Sequence, residues 1–212
     1  MIQVIPAIIA KDFEELQAKV KKVEPYVDWV QLDVMDGQFV ENSTWNNPKE
    51  LMAALGFTED SPQIEAHLMI QNPEEHIDDW IESGVKRIIV HFESTDQPRE
   101  LINKIKQAGL ETGLAINPET SIKVVNDFIE QIDLILVMTV HPGKGGQEFL
   151  EETLGKIKDL RQKYKDFNIE VDGGINLETA PKVIQAGANI LVSGSAVFES
   201  DDIEKTIQEL KK

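Results

Sequence analysis

The chain has 212 residues, with 21 Lys and Arg against 38 Asp and Glu, for a formal net charge of -17. This acidic balance argues against a protein that binds nucleic acid or an anionic membrane, because both need a basic surface. The chain has no cysteine, which excludes disulfides, thiolate metal sites and a cysteine nucleophile. Neither a signal peptide nor an apolar run near the roughly 18 residues of a membrane span is recognisable. We therefore expect a cytoplasmic globular protein.

Short apolar runs rich in β-branched residues alternate with segments of helical periodicity along the whole chain. Eight runs are predicted to be strands: Val4 to Ile9, Trp29 to Met35, Ile64 to Ile70, Arg87 to Phe92, Thr112 to Ile116, Ile132 to Val140, Asn168 to Val171 and Ile190 to Ser193. Residues typical of a helix start are Asp12, Asn72-Pro73, Gln97-Pro98 and Ser121, and glycines placed to end helices are Gly84, Gly109 and Gly187.

Eight strands, each followed by a helix, predict the α/β class and a single (β/α)8 or TIM barrel domain over residues 1–212. A doubly wound open sheet shows the same alternation and is the rival architecture. The absence of a GxGxxG motif after the first strand weakens this rival.

Polar residues lie at positions of three predicted strands where the side chains of a barrel interior are usually apolar and packed. Alternation along a strand places one set of side chains inward: Gln31, Asp33, Met35, Glu65, His67, Met69, Glu170 and Asp172. Burying an acid there costs free energy unless the acid is paired or hydrogen-bonded. Barrel enzymes have their catalytic residues at the carboxyl ends of the strands. We therefore expect Asp33, His67 and Asp172 to converge on one functional site.

The order of the strands places Asp33 and Asp172 opposite each other. They lie on the second and seventh strands, three strands apart around a ring of eight, so we expect a ligand-sized gap between them. Two opposed carboxylates suit a reaction that removes a proton from one face of a carbon and returns one to the other. His67 adds a group typical of metal ligands, and a divalent ion would stabilise an enediolate.

Three glycine-containing turns follow the last strands and predict a phosphate site. Backbone N–H groups of such turns approach anions closely, and barrels often bind phosphate after strands seven and eight. The candidate phosphate-binding residues are Gly143, Lys144, Gly145, Gly146, Gly173, Gly174, Gly194 and Ser195. Three methionines near strand ends, Met35, Met69 and Met138, are either core residues or an apolar wall over the reacting carbon.

Several blocks of the sequence, in order, resemble the ribulose-phosphate 3-epimerase family over nearly the whole chain. They are Asp33-Val34-Met35-Asp36-Gly37 with Phe39-Val40, His67-Leu68-Met69, Val137-Met138-Thr139-Val140 with Pro142-Gly143, Gly145-Gly146-Gln147 with Phe149, Val171-Asp172-Gly173-Gly174-Ile175, and Gly194-Ser195-Ala196 with Phe198.

The resemblance implies an isomerase of the pentose phosphate pathway that interconverts D-ribulose 5-phosphate and D-xylulose 5-phosphate at C3. It implies that Asp33 and Asp172 are the acid–base pair and that both, with His67, bind one divalent metal ion: Zn, Mn, Fe or Co. It also implies a small phosphorylated ketose as the bound partner and a homo-oligomer, either a dimer or a hexamer.

The chain departs from the family pattern at several positions. Gln31 stands where the family has a histidine ligand, Ala7 where it usually has serine, His141 where it has asparagine, Lys144 where it has an aromatic residue and Glu41 where it has proline. An amide oxygen suits harder ions such as Mn or Mg better than Zn, so Gln31 is either a metal ligand or only a hydrogen-bonding residue.

Three other functions stay open. The first is epimerisation of a related ketohexose 6-phosphate. The second is a catalytically lapsed barrel that binds a phosphosugar. The third is a decarboxylase or hexulose-phosphate synthase related to orotidine phosphate decarboxylase, which is disfavoured because Asp33-Val34-Met35-Asp36 contains no lysine.

Overall fold

The computed structural model describes residues 1–54 and 61–212, and its centre is a closed barrel of eight parallel strands. The strands are β1 Gln3–Ile8, β2 Trp29–Met35, β3 Gln63–Met69, β4 Arg87–His91, β5 Glu111–Ile116, β6 Leu134–Met138, β7 Asn168–Asp172 and β8 Ile190–Ser193. Each strand pairs with its neighbours in sequence, and β1 pairs with β8. The barrel prediction is confirmed, and the open sheet is excluded.

The α-helices are α1 Phe13–Val23, α2 Pro48–Ala54, α3 Ile77–Glu82, α4 Pro98–Gln107, α5 Thr153–Lys163, α6 Ala180–Ala186, α7 Ser195–Phe198 and α8 Ile203–Leu210. Asp12 begins α1 as predicted, because its side chain accepts a hydrogen bond from the Glu15 N–H. Gly187 ends α6 in the left-handed conformation, with φ 119°. Among the residues that the structure describes, no helix has the length and apolar character that a membrane span requires.

Some segments differ from the sequence predictions at their boundaries. Ser121 does cap a helix, but the segment Ile122–Asp127 is a 3₁₀ helix rather than an α-helix. The run from Ile132 to Val140 is a strand only over Leu134–Met138. A continuous apolar run shows that a segment is buried, but it does not show where the hydrogen-bonded ladder stops.

The outward faces of the strands pack against the helices in a large apolar core. The core includes Val30, Leu32 and Val34 of β2, with Leu68 of β3 and Val90 of β4. This packing fixes the phase of each strand, because a shift of one residue would turn these side chains into the barrel. The inward residues of β2, β3 and β7 are therefore the polar ones.

A buried ionic cluster fills the barrel interior below the carboxyl ends of the strands. Arg87 donates to Glu65 at 2.5 Å and to Glu111 at 2.6 Å, and its Nη1 lies 3.8 Å from Glu170. Its guanidinium also lies 4.1 Å from the ring centroid of Trp29. Burial raises the pKa of Glu65 to about 7, although Arg87 opposes the shift, and burial with the nearby Glu65 charge raises the pKa of Glu170. Arg87 is thus the cation that makes these buried acids tolerable.

Candidate active site

Two neighbouring strands and one distant strand bring Asp33, His67 and Asp172 to the same end of the barrel. Asp33 of β2 and His67 of β3 are register partners, and Asp172 is the last residue of β7. All three are buried. One ligand atom from each lies within 4.8 Å of the others. The convergence expected from strand alternation is therefore present in the structure.

The side chain of Gln31 lies between the two aspartates. Its Nε2 donates to Asp33 Oδ1 at 2.8 Å and to Asp172 Oδ2 at 2.7 Å. The same nitrogen lies 3.4 Å from His67 Nδ1. The aspartates do face each other across the barrel, but an amide group bridges them. The expected ligand-sized gap therefore lies above this pair, in the pocket, rather than between the two carboxylates.

Burial and close charges change the acid–base behaviour of the cluster. Burial raises the pKa of Asp33, and the negative charge of Asp172 adds to the shift. Burial disfavours charge on His67, but hydrogen bonds from its ring to Asp172 and Asp33 outweigh this effect and raise its pKa to about 10. These hydrogen bonds therefore favour the protonated imidazole, which pairs with both aspartates. A carboxyl group with a raised pKa can hold a proton near neutral pH and deliver it.

A pocket of about 330 Å³ opens above the aspartates. It is lined by Asp33 and Asp172, by the three methionines Met35, Met69 and Met138, and by all eight candidate phosphate-binding residues: Gly143, Lys144, Gly145, Gly146, Gly173, Gly174, Gly194 and Ser195. His67 and Gln31 are not among the lining residues, because both are fully buried beneath it. The volume matches a small-molecule site rather than a macromolecular interface.

Two of the glycines are required by their backbone geometry and by close neighbours. Gly173 and Gly174 have φ of 117° and 66°, a region that L side chains rarely adopt. A Cβ on Gly173 would lie 2.3 Å from Val140, and one on Gly174 would lie 2.9 Å from the Phe149 backbone. Thr179 donates to the Gly174 carbonyl at 2.8 Å and so fixes this turn. The turn after β7 therefore presents bare backbone to the pocket.

Several pocket residues were not among the candidates from the sequence, and two of them, Gln147 and Lys19, form hydrogen bonds at the pocket. The Gln147 side chain donates to the carbonyls of His141 at 2.7 Å and Lys144 at 2.9 Å, and this holds the glycine loop closed. Lys19 of α1 lines the pocket and donates to the Ile9 carbonyl at 2.6 Å. A polar residue in a glycine-rich loop was the available signal for Gln147. The sequence gave no such signal for Lys19, because a lysine on an amphipathic helix is usually only solvated.

Two further residues lie behind the cluster: His91, the last residue of β4, and Glu93 in the 3₁₀ helix Phe92–Ser94 that follows it. His91 Nε2 lies 2.9 Å from His67 Nε2, and His91 Nδ1 lies 3.3 Å from Glu93 Oε2. Burial lowers the pKa of His91 to about 4, so this ring is neutral beside the His67 cation. The alternation that singled out His67 on β3 also places His91 inward on β4, and that signal could have found it.

The donor set at the cluster fits a divalent metal ion. Two carboxylates and an imidazole are ligands that Zn, Mn, Fe and Co share. The Gln31 side-chain oxygen is buried and has no hydrogen-bond partner among the described residues. A 180° rotation of the amide would exchange its oxygen and nitrogen, so that the oxygen would point toward the ligand atoms of Asp33, His67 and Asp172. The orphaned oxygen is thus a further candidate ligand.

A closed parallel barrel with paired carboxylates and glycine turns at the carboxyl ends of its strands defines the class of (β/α)8 enzymes with an acid–base site. Solved structures share this fold. A 3-hexulose-6-phosphate synthase matches with a TM-score of 0.73 at 17% identity, covering 99% of this chain and 98% of its own. A second, from Salmonella typhimurium, has a TM-score of 0.74 at 15% identity, covering 99% and 97%. At these identities the likeness shows the fold alone.

Sequence comparison gives the particular family. The model of the ribulose-phosphate 3 epimerase family matches residues 3–198. The ribulose-phosphate 3-epimerase of Schizosaccharomyces pombe is 38% identical over 99% of this chain and 92% of its own. That of Bacillus subtilis is 41% identical over 100% and 99%. The chloroplastic ribulose-5-phosphate-3-epimerase of Arabidopsis thaliana is 42% identical over 99% of this chain and 76% of its own. The chain belongs to the ribulose-phosphate 3-epimerase family, a family of carbohydrate isomerases, which confirms the resemblance.

Proposed function

We propose that this chain interconverts D-ribulose 5-phosphate and D-xylulose 5-phosphate, with Asp33 and Asp172 as the two acid–base residues. The observation that carries the proposal is the arrangement of these carboxylates. They come from opposite sides of the barrel, and both line the floor of one pocket. Family membership identifies the reaction as epimerisation. An epimerisation needs a base on one face of the carbon and an acid on the other, and we assign one aspartate to each face of a carbon bound above them.

The proton transfers follow from the paired acids. In one direction the Asp172 carboxylate takes the proton from C3, and the C–H electron pair moves through C2 onto the ketone oxygen to give an enediolate. Asp33, whose pKa is raised by burial, delivers a proton to the opposite face of C3. The electron pair returns to form the new C–H bond and restores the ketone. After the turnover Asp172 holds the proton taken from C3 and Asp33 is a carboxylate, and proton exchange with solvent restores the starting state. The reverse reaction exchanges the roles of the two aspartates.

Asp33, His67 and Asp172 would hold one divalent ion, Zn, Mn, Fe or Co, beside the reacting carbons. When bound, the ion supplies positive charge against the negative charge that develops on the substrate oxygens. Met35 and Met69 pack together with Val40 beside the pocket, and we propose that these side chains keep water away from the carbanionic carbon.

The phosphate would bind at the glycine turns that line the pocket. A chain with net charge -17 offers no general attraction for a sugar phosphate, so the site must bind it locally. Backbone N–H groups of the turns after β6, β7 and β8 provide such donors. Lys144 is exposed, lines the same pocket and adds one positive charge to the phosphate site.

The test is a comparison of D-ribulose 5-phosphate, unphosphorylated D-ribulose and a ketohexose 6-phosphate as substrates, each with added Mn, Co, Fe or Zn. We expect the pentulose phosphate to be turned over best and the unphosphorylated sugar to lose most of kcat/KM. Faster turnover of the hexulose phosphate would reassign the substrate. Phosphosugar binding without any turnover would indicate a lapsed barrel and contradict the proposal.

Replacement of Gln31 separates the two roles left open for this residue. If the amide oxygen is a ligand, Gln31→Leu should weaken Mn binding by about tenfold or more, and Gln31→His should shift the preference toward Zn because imidazole is the softer donor. Metal affinity is measured by competition with a chelator. Unchanged or tighter Mn binding in Gln31→Leu would show that the amide only bridges the carboxylates.

A further inference from the structure

The ring of His67 has two different environments. Its Nδ1 faces the acid pair, at 3.2 Å from Asp33 Oδ1 and 3.4 Å from Asp172 Oδ2. Its Nε2 faces away from them and lies 2.9 Å from Nε2 of His91 on the next strand. Both rings are fully buried. Water therefore does not compete for the contact between the two rings.

The second histidine is itself held by a carboxylate. His91 Nδ1 lies 3.3 Å from Glu93 Oε2. The other oxygen of Glu93 accepts hydrogen bonds from the Asn117 N–H at 2.8 Å and from the Thr120 hydroxyl. The backbone of that loop is fixed in turn by Lys156, whose Nζ donates to the carbonyls of Asn117, Pro118 and Thr120. The series His67, His91 and Glu93 thus ends in a firmly anchored acceptor.

The anchored end sets the direction of every hydrogen bond in the series. A carboxylate only accepts, so His91 must carry its proton on Nδ1 to donate to Glu93. Two ring nitrogens that face each other can share only one proton, so His91 Nε2 is the acceptor and His67 Nε2 is the donor. His67 Nδ1 is then the nitrogen whose lone pair is available when the ring is neutral. That nitrogen is the one that faces Asp33 and Asp172.

We propose that His91 and Glu93 are positioning residues that fix the tautomer and the ring orientation of His67. Phe39 packs against the His91 ring with a centroid distance of 4.9 Å and limits its rotation. Partners that accept from the second nitrogen of a ligating histidine typically change metal affinity by about 10–100-fold when they are removed. The expected effect on metal affinity rests on the proposed metal site, whereas the hydrogen bonds between His67, His91 and Glu93 do not depend on a metal.

The first test measures Zn and Mn affinity of the whole chain, without substrate, in His91→Leu and His91→Gln. Leucine removes the acceptor, whereas the longer amide places an oxygen close to where His91 Nε2 lies. We expect affinity to fall by about 10–100-fold in His91→Leu and to recover to within a few fold of the original in His91→Gln. Equal loss in the two variants, or wild-type affinity in His91→Leu, would overturn the proposal.

The second test needs no substitution and no metal. In ¹⁵N-histidine-labelled chain, a scalar coupling across the hydrogen bond should join His67 Nε2 to His91 Nε2, and the His91 proton should be on Nδ1. Glu93→Gln should weaken the coupling or move that proton. A His91 ring protonated on Nε2, or no coupling between the rings, would overturn the proposal even if His91→Leu does not fold. A chain that shows the coupling but binds no metal would instead contradict the metal site.

Discussion

Asparagine in place of either Asp33 or Asp172 is expected to lower kcat for epimerisation at C3 by about 10²–10⁴-fold. Asparagine keeps the size of the side chain and its place in the Gln31 bridge, but it cannot accept a proton from carbon at neutral pH. The loss should appear in kcat as well as in kcat/KM, because the proton transfers occur in the transition states. Steady-state assays on both epimers, with the metal content of each variant measured in parallel, check this expectation.

Solvent exchange of the C3 proton distinguishes the roles of the two aspartates in the same two variants. Each aspartate serves one face of C3, so each single variant should keep solvent exchange of the C3 proton for one epimer and lose it for the other. The two variants should therefore have complementary patterns. Asp159→Asn, which changes an exposed acid on α5, is the matched control and should behave as the original chain. Full epimerisation by either Asp33→Asn or Asp172→Asn would contradict the two-aspartate mechanism.

Methionine in place of Arg87 is expected to lower the free energy of unfolding by about 3–5 kcal/mol, because it leaves buried acids without their cation. Glu65 and Glu170 are fully buried, and both oxygens of Glu170 lack a hydrogen-bond partner among the described residues. Urea denaturation near pH 8 measures the loss. Exposed Lys104, which pairs with Asp78 at 2.7 Å, provides the control: Lys104→Met should cost less than about 1 kcal/mol.

The pH dependence of Arg87→Met follows from the raised pKa values of its partners. The folded state holds protons on Glu65 and Glu170 at pH values where the unfolded chain has released them, so these groups lower stability as the pH rises above their unfolded pKa. Without Arg87 the free energy of unfolding should fall more steeply as the pH rises. This pH dependence should largely disappear below about pH 4.3, where the glutamates of the unfolded chain are also protonated. A loss equal to that of Lys104→Met, or one independent of pH, would contradict the role of Arg87.

The alternation of apolar runs and helical segments predicted eight β/α units, since both periods are local properties of the chain. The missing GxGxxG motif then favoured the barrel over an open sheet. Strand alternation also placed Asp33, His67 and Asp172 on the inner face, because the outward residues Leu32 and Val34 had to reach the helices. The glycine turns at the pocket were recognisable from the sequence, and four of their glycines, Gly143, Gly146, Gly173 and Gly174, have the positive φ that only glycine adopts easily.

Contacts between strands distant in sequence could not be predicted in the same way. Strand alternation indicated that Gln31 points inward, but not that its amide would bridge the carboxylates of Asp33 and Asp172. Asp172 lies 141 positions from Gln31 along the chain. The pairing of His91 with His67 depends on the register of β3 with β4, which single-strand periodicity leaves open. The 3₁₀ helix Ile122–Asp127 shows the same limit, because its apolar spacing also suits an α-helix.

The central claim is that two opposed aspartates move protons at C3 of a pentulose phosphate. The most direct test is incubation with D-ribulose 5-phosphate in D₂O, followed by NMR or mass analysis of both epimers. The account predicts D-xylulose 5-phosphate as product, with solvent deuterium at C3 and at no other carbon. Absence of deuterium at C3, even with added Mn, Co, Fe or Zn, would contradict it, and so would product formed without solvent deuterium.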